Sequence, residues 1–169
     1  MNSEYIKNEA LSLIKRFDTR DPFSIAKKLG ITVLFDNGFK LLKGMYMVIR
    51  RNRFIVITTN ISSRDQRLVC AHELGHDQFH RELAKCAALQ EFMLYDMRSR
   101  PEYEANIFAS ELLIDDEKIL PIMEIDNDIC HISGELGEDM NLVLLKVDEL
   151  HKQGYDFRVP YRPKADFLK

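Results

Sequence analysis

The order of hydrophobic patterns along the chain predicts an α+β fold, in which helices precede and follow a small sheet. Two segments with helical periodicity come first, three short runs rich in β-branched and aromatic residues follow, and the remainder returns to helical periodicity. At 169 residues, with no internal repeat or low-complexity run, the chain has the length of one domain. We expect a single domain over residues 1–153 and an irregular tail over residues 154–169.

Two helices are predicted at the start of the chain. The first covers Glu4 to Phe17, where apolar residues recur at helical spacing. The second begins at Pro22, after Asp21 as its N-cap, and ends at Gly30. Proline fits the first turn of a helix and glycine the position after its last turn, so both ends of this helix are marked in the sequence.

Three runs of β-type residues then predict a sheet. They cover Ile31 to Phe35, Gly44 to Ile49 and Phe54 to Thr58. The polar residues 50–53 between the last two runs predict a hairpin turn. We therefore expect a small three-stranded sheet that is antiparallel or mixed.

The second half of the chain is predicted to be helical. A long helix should begin after the N-cap Ser62 and run to about Ala87. Another is opened by Pro101 and continues through Leu113. Residues 117–152 have the pattern of additional short helices.

The bulk composition speaks against nucleic-acid and membrane partners. The net charge is −3 and the pI about 6.0, and the sequence has no clear basic recognition helix. No apolar run approaches the ~18 residues that a membrane span needs. The three cysteines are odd in number and lack CxxC spacing, which favours a reducing cytoplasm.

The pattern His72-Glu73-Leu74-Gly75-His76 is HExxH, and it lies within the predicted long helix. Residues four apart lie one turn above each other on a helix face, so the two imidazoles can converge on one metal ion. Glu73 points about 100° around from His72, where it can take a proton from a water molecule at the metal. The alternative is a surface helix that carries two histidines at this spacing by chance. Apolar neighbours on the same face favour the metal site.

His80 extends this series to a third histidine, but a straight helix rises about 12 Å over eight residues, too far for one ion to bridge. We therefore expect His80 to support the site from behind the ligands or to pack beside it. Stabilisation of a reaction oxyanion is not assigned by the sequence. Tyr46, Tyr103 and His80 are the candidates.

The third metal ligand is expected from the helix opened by Pro101. Glu102 shares a face with the small residues Ala105 and Ala109, whereas Glu104 and Glu111 lie near 180–200° from it and are expected to face solvent. Glu102 is therefore the predicted ligand. The alternative is that it closes a capping box with Ser99. Two histidines, one glutamate and a water are the ligand set of catalytic zinc, with one ion per chain.

Several separated segments resemble the ImmA/IrrE family of metallo-endopeptidases. They are DPFSIAKKLGITV from Asp21, the hairpin segments LLKGMYMV and RFIVITTNIS, the metal helix RLVCAHELGHDQFH and the segment EYEANIFASELLID. The resemblance implies a gluzincin-like, zincin-type fold, with His72, His76 and Glu102 as zinc ligands and Glu73 as catalytic residue. It also implies a cytoplasmic bacterial or mobile-element protein that cleaves a helix-turn-helix repressor, here a separate chain, and so derepresses genes.

Two other functions compete with that of a zinc peptidase. One is a zinc-stabilised antirepressor that docks on its partner without cutting it. The presence of Glu73 favours the enzyme, because metal binding alone does not need this residue. The other is a regulator that binds DNA directly, which the acidic balance disfavours.

Overall fold

The computed structural model describes residues 2–91, 99–126 and 128–155. In chain order its elements are α1 (Ser3–Phe17), α2 (Pro22–Lys28), β1 (Thr32–Asp36), β2 (Gly44–Ile49), β3 (Asn52–Thr58), α3 (Ser63–Phe79), α4 (Arg81–Cys86), β4 (Leu89–Glu91), α5 (Arg100–Leu113), α6 (Asp116–Ile125), α7 (Ile129–Leu136) and α8 (Met140–Lys152). The α+β class is confirmed.

Most helices begin where a short polar side chain accepts a hydrogen bond from a backbone N–H of the first turn. These N-cap residues are Asn2, Asp21, Ser62, Ser99, Asp115, Asp128 and Asp139. Each of these side chains satisfies one of the backbone donors that a helix start leaves without an intrahelical acceptor. The cap therefore fixes where the helix begins, and the helices that carry the HExxH pattern and Glu102 start after Ser62 and Ser99.

The sheet is mixed, with the strand order β1-β3-β2-β4. Strands β2 and β3 form the predicted hairpin, and β1 pairs with β3 in parallel. The prediction of three strands was one short. The additional strand β4 pairs antiparallel with the start of β2, from Gly44 to Tyr46. This strand has only three residues, of which one is apolar, and it lies between two helical segments. Such a short run shows too little alternation of apolar and polar residues to be recognised in the sequence.

Helix α3 packs between the sheet and helix α5, and α5 also contacts α1 and α8. The crossing of α3 and α5 is close because Gly75 lies against Ala105. A Cβ atom built at Gly75 would be only 2.9 Å from the Ala105 Cα atom. Two small residues at the crossing therefore let the backbones approach each other, and this approach brings the side chains of the two helices together.

The long helix predicted to reach Ala87 is interrupted. Helix α3 ends at Phe79 and α4 begins at Arg81, with His80 between them at φ −122° and ψ 19°. The His80 backbone N–H still donates to the His76 carbonyl, but its own backbone no longer continues the helix. Hydrophobic periodicity alone does not reveal this break, because α4 continues a helical pattern on its other side.

The expected irregular tail over residues 154–169 lies, beyond Tyr155, outside the described residues. Within the part of the chain that the structure does describe, no helix is both long enough and apolar enough to cross a bilayer.

Candidate metal centre

Three ligand-type side chains converge where α3 crosses α5. His72 and His76 come from α3 and Glu102 from the first turn of α5, and one atom of each lies within 4.8 Å of the other two. The Nε2 atoms of His72 and His76 are 3.0 Å apart. The Glu102 carboxylate lies 3.1 Å from His72 Nε2 and 3.5 Å from His76 Nε2.

These separations fit a bound ion. In a tetrahedral site with ligand atoms about 2.0–2.1 Å from zinc, neighbouring ligand atoms are about 3.3 Å apart. The three observed separations of 3.0, 3.1 and 3.5 Å lie around this value. Both histidines are 2% exposed, whereas the Glu102 side chain is 20% exposed, so that solvent reaches the cluster at Glu102. A solvent-facing fourth position is what a catalytic site requires of its protein ligands.

The alternative role of Glu102 as a capping-box partner does not exclude the cluster. The Glu102 backbone N–H donates to the Ser99 Oγ atom at 3.4 Å, while its carboxylate faces the two histidines. Residue 102 therefore uses its backbone to start helix α5 and its side chain to complete the cluster.

The protonation of the cluster suits a cation. Burial lowers the pKa of His76 from 6.5 to about 4, so its imidazole is neutral at ordinary pH. Burial alone would raise the pKa of Glu102, but the contacts with His72 and His76 outweigh it and hold that pKa well below the usual value. A neutral imidazole and an ionised carboxylate are the forms in which His76 and Glu102 would bind metal.

Glu73 lies beside the cluster at the interface of α3 with the sheet. Its side chain is fully buried. Its Oε1 atom lies against the start of β2, where a Cβ atom built at Gly44 would be 2.9 Å away. The same Cβ atom would be 2.3 Å from the Val69 Cγ1 atom. Glycine at position 44 therefore provides the space that Glu73 and Val69 occupy, a role that no sequence pattern indicates.

The three candidates for oxyanion stabilisation are all engaged by other side chains. The hydroxyl of the buried Tyr46 donates to the Asp77 carboxylate at 2.7 Å. The Tyr103 hydroxyl donates to Glu149 at 3.1 Å and accepts from Lys152 at 2.9 Å. The His80 ring lies behind His76, with their Nδ1 atoms 3.0 Å apart.

Two side chains on α5, those of Glu104 and Glu111, are buried although the sequence predicted that they face solvent. Glu104 contacts His80 and Arg100, and Glu111 pairs with Lys146 at 2.5 Å. The angles gave the relative directions of these residues correctly. The prediction failed because α5 is covered by α1, α3 and α8, so that opposite faces of it are buried.

The residues that sequence reasoning missed include Asn106. Its Oδ1 atom lies 2.9 Å from His72 Nδ1, on the side of the ring away from the cluster. An amide oxygen only accepts hydrogen bonds, so the His72 Nδ1 atom carries a proton, and a neutral His72 would present the lone pair of its Nε2 atom to a metal ion. Its position four residues after Glu102, on the same helix face, is the one signal that could have identified it.

A small mixed sheet packed on an HExxH helix, with a glutamate from the next long helix completing the cluster, defines a zincin-like metallopeptidase. The model of the IrrE N-terminal-like domain, Peptidase_M78, matches residues 26–142. This is more than half of the chain, and the chain belongs to this peptidase family.

Two relatives have names that bear on the class of this protein. A protein of Bacillus phage phi105 named "Uncharacterized immunity region protein 2" is 37% identical over 111 residues, which cover 66% of this chain and 69% of that protein. A protein of Bacillus subtilis (strain 168) named "Metallopeptidase ImmA" is 27% identical over 122 residues, which cover 69% of this chain and 68% of that protein.

Proposed function

We propose that the protein is a zinc endopeptidase in which His72, His76 and Glu102 hold one zinc ion and Glu73 is the general base. The observation that carries this proposal is the convergence of two histidine Nε2 atoms and one carboxylate within 4.8 Å, with Glu73 next in sequence to the first ligand. Three protein ligands and an open fourth position are typical of catalytic zinc, whereas structural zinc is enclosed by four.

Zinc, when bound, supplies Lewis acidity that polarises the scissile carbonyl and acidifies the attacking water. Among the residues of the chain, Glu73 would carry out the proton transfers. Its carboxylate takes one proton as the oxygen of water adds to the carbonyl carbon, and returns it to the amide nitrogen as the C–N bond breaks. The buried setting of Glu73 keeps bulk water away from this carboxylate, and packing against Gly44 fixes its direction.

The proposed substrate is a protein, a helix-turn-helix repressor encoded as a separate chain. Two lines support it. The chain belongs to the IrrE N-terminal-like family, and one relative is named as a phage immunity region protein. Cleavage of such a repressor in the cytoplasm would release the genes that it represses. The net charge of −3 gives no bulk attraction to DNA, so the proposal has the peptidase act on the repressor itself.

The test compares Glu73→Gln with the parent protein, each co-expressed with a candidate helix-turn-helix repressor. Glutamine keeps the shape of the side chain and removes the base, so zinc content should stay at one per chain while cleavage falls by roughly 10²-fold or more. Glu82→Gln is the matched control, because the Glu82 side chain is 82% exposed. Derepression by Glu73→Gln equal to the parent's, without repressor fragments in either case, would establish a docking antirepressor instead.

A further inference from the structure

We propose that His80 and Glu104 are positioning residues that fix the protonation pattern of His76 so that its Nε2 atom is always the metal-binding atom. This inference rests on the proposed metal centre and adds residues that bind no metal themselves. It concerns a chain of hydrogen bonds that leads from the helix surface, through the protein interior, to one ligand of the cluster.

The chain of contacts is continuous. Arg100 Nε donates to Glu104 Oε1 at 2.9 Å, and Glu104 Oε2 lies 3.0 Å from His80 Nε2. The His80 Nδ1 atom lies 3.0 Å from His76 Nδ1. The His76 Nε2 atom then faces His72 and Glu102.

Each contact determines the direction of the next. A guanidinium only donates and a carboxylate only accepts, so Glu104 accepts from Arg100 and from the His80 Nε2–H group. A neutral imidazole with its proton on Nε2 carries a lone pair on Nδ1. The His80 Nδ1 atom therefore accepts, and His76 donates from its own Nδ1–H group. The lone pair of His76 is then on Nε2, the atom that points into the cluster.

Burial favours one direction of the hydrogen bonds that join His76, His80 and Glu104. His80 is 6% exposed and Glu104 5%, so water competes little with the contacts between them. If these hydrogen bonds ran in the opposite direction, an unprotonated His80 Nε2 atom would face the Glu104 carboxylate. Two acceptors would then face each other in the protein interior. Such a mismatch leaves a buried charged acceptor without a donor from His80, which is unfavourable. A neutral His80 therefore disfavours the alternative tautomer of His76.

Helix α5 thereby supports all three ligands, by three different routes. It supplies Glu102 directly, and Asn106 on the same face accepts from His72. Glu104 lies roughly 200° around the helix from both and cannot reach the cluster itself. His80 spans this gap, and its position at the break between α3 and α4 places its ring between His76 and Glu104.

The experiment measures zinc affinity of the metal-free protein by competition with a chromogenic chelator. Partners behind a metal-bound histidine commonly contribute 10–100-fold to metal affinity. Glu104→Gln and His80→Leu should each weaken zinc binding by roughly this factor. His80→Asn keeps an amide oxygen near the position of the Nδ1 atom and should recover part of the loss.

Glu111→Gln is the matched control on the same helix, since Glu111 is equally buried but pairs with Lys146. It should lower thermal stability and leave the zinc dissociation constant unchanged. The d–d spectrum of the cobalt-substituted protein adds a second readout. It should change in His80→Leu and Glu104→Gln and keep the parent shape in Glu111→Gln, because only the first two alter how His76 is held.

Arg100→Gln keeps the proposal testable if a buried variant fails to fold, because the Arg100 side chain is 75% exposed. It should weaken zinc binding severalfold. Parent-like zinc affinity and cobalt spectrum in folded His80→Leu and Glu104→Gln, or in Arg100→Gln if those do not fold, would overturn the positioning role. A parent protein that binds no zinc would instead overturn the proposed metal centre, so the two failures are distinguishable.

Discussion

Gly44 on β2 lies so close to Glu73 on α3 that a Cβ atom at position 44 would be 2.9 Å from the Glu73 Oε1 atom. The closeness links a strand of the sheet to the proposed general base. It also means that the direction of the Glu73 carboxylate depends on a residue that takes no part in chemistry or metal binding.

Gly44→Ala should reduce cleavage of the repressor more than it reduces zinc binding, because the added methyl group displaces Glu73 and leaves the three ligands in place. The fold should lose about 1–3 kcal/mol, since the methyl also meets Val69. Repressor cleavage, zinc content and urea unfolding measure the three effects. The double variant Gly44→Ala, Val69→Ala should regain stability relative to the single one without regaining activity. Full activity in Gly44→Ala would show that the Glu73 position is not set by this contact.

Gly75→Ala should weaken zinc binding by forcing α3 and α5 apart. The new methyl would meet the Ala105 backbone, with the Cα atom at 2.9 Å and the carbonyl oxygen at 3.2 Å, and backbone atoms cannot move away cheaply. Ligands from the two helices then separate. Gly134→Ala in α7 is the control, because a Cβ atom there meets nothing within 4 Å. It should be neutral or stabilising by up to about 1 kcal/mol. Equal zinc affinity in Gly75→Ala and the parent would contradict the prediction.

The metal-free protein should lose stability as the pH falls from about 6.5 to about 4. The pKa of His76 is 6.5 when unfolded and about 4 when folded, so the unfolded chain holds more protons between these values. The free energy of unfolding therefore decreases as the pH decreases across this window. The lowered pKa of Glu102 acts in the same direction at still lower pH. Urea unfolding at several pH values should show a smaller slope in His76→Leu, and an equal slope would refute the assignment.

Removal of zinc should lower the melting temperature and leave a folded protein. The large apolar cluster that joins α1, α3, α5 and α8 to the sheet is made without any metal ligand. At the proposed site zinc would bind the folded state in preference to the unfolded one, so its contribution to stability should grow with the logarithm of its free concentration. Calorimetry with and without a chelator measures the shift, and near-ultraviolet circular dichroism tests the fold. Collapse of the fold on chelation would identify a structural metal site instead.

The sequence predicted well the features that depend on one segment at a time. The strands, the N-caps Asp21 and Ser62 and the helical placement of His72 and His76 all follow from local pattern. Features that depend on a neighbour were missed. The strand β4 exists by pairing with Gly44 to Tyr46, and Glu104 is buried by elements that cover α5 from several sides.

His72 and Glu102 are thirty positions apart in the chain, so an ion that joins them closes a loop. In the language of polymer physics the metal is a reversible cross-link, and the chain entropy it removes depends only weakly on loop length. Strand β4 lies inside this loop and forms the sheet edge beside Gly44. We therefore expect a bound metal to restrict the motion of this edge strand, which carries no ligand. Hydrogen exchange at the β4 amide protons that donate to β2 should therefore slow when metal is bound.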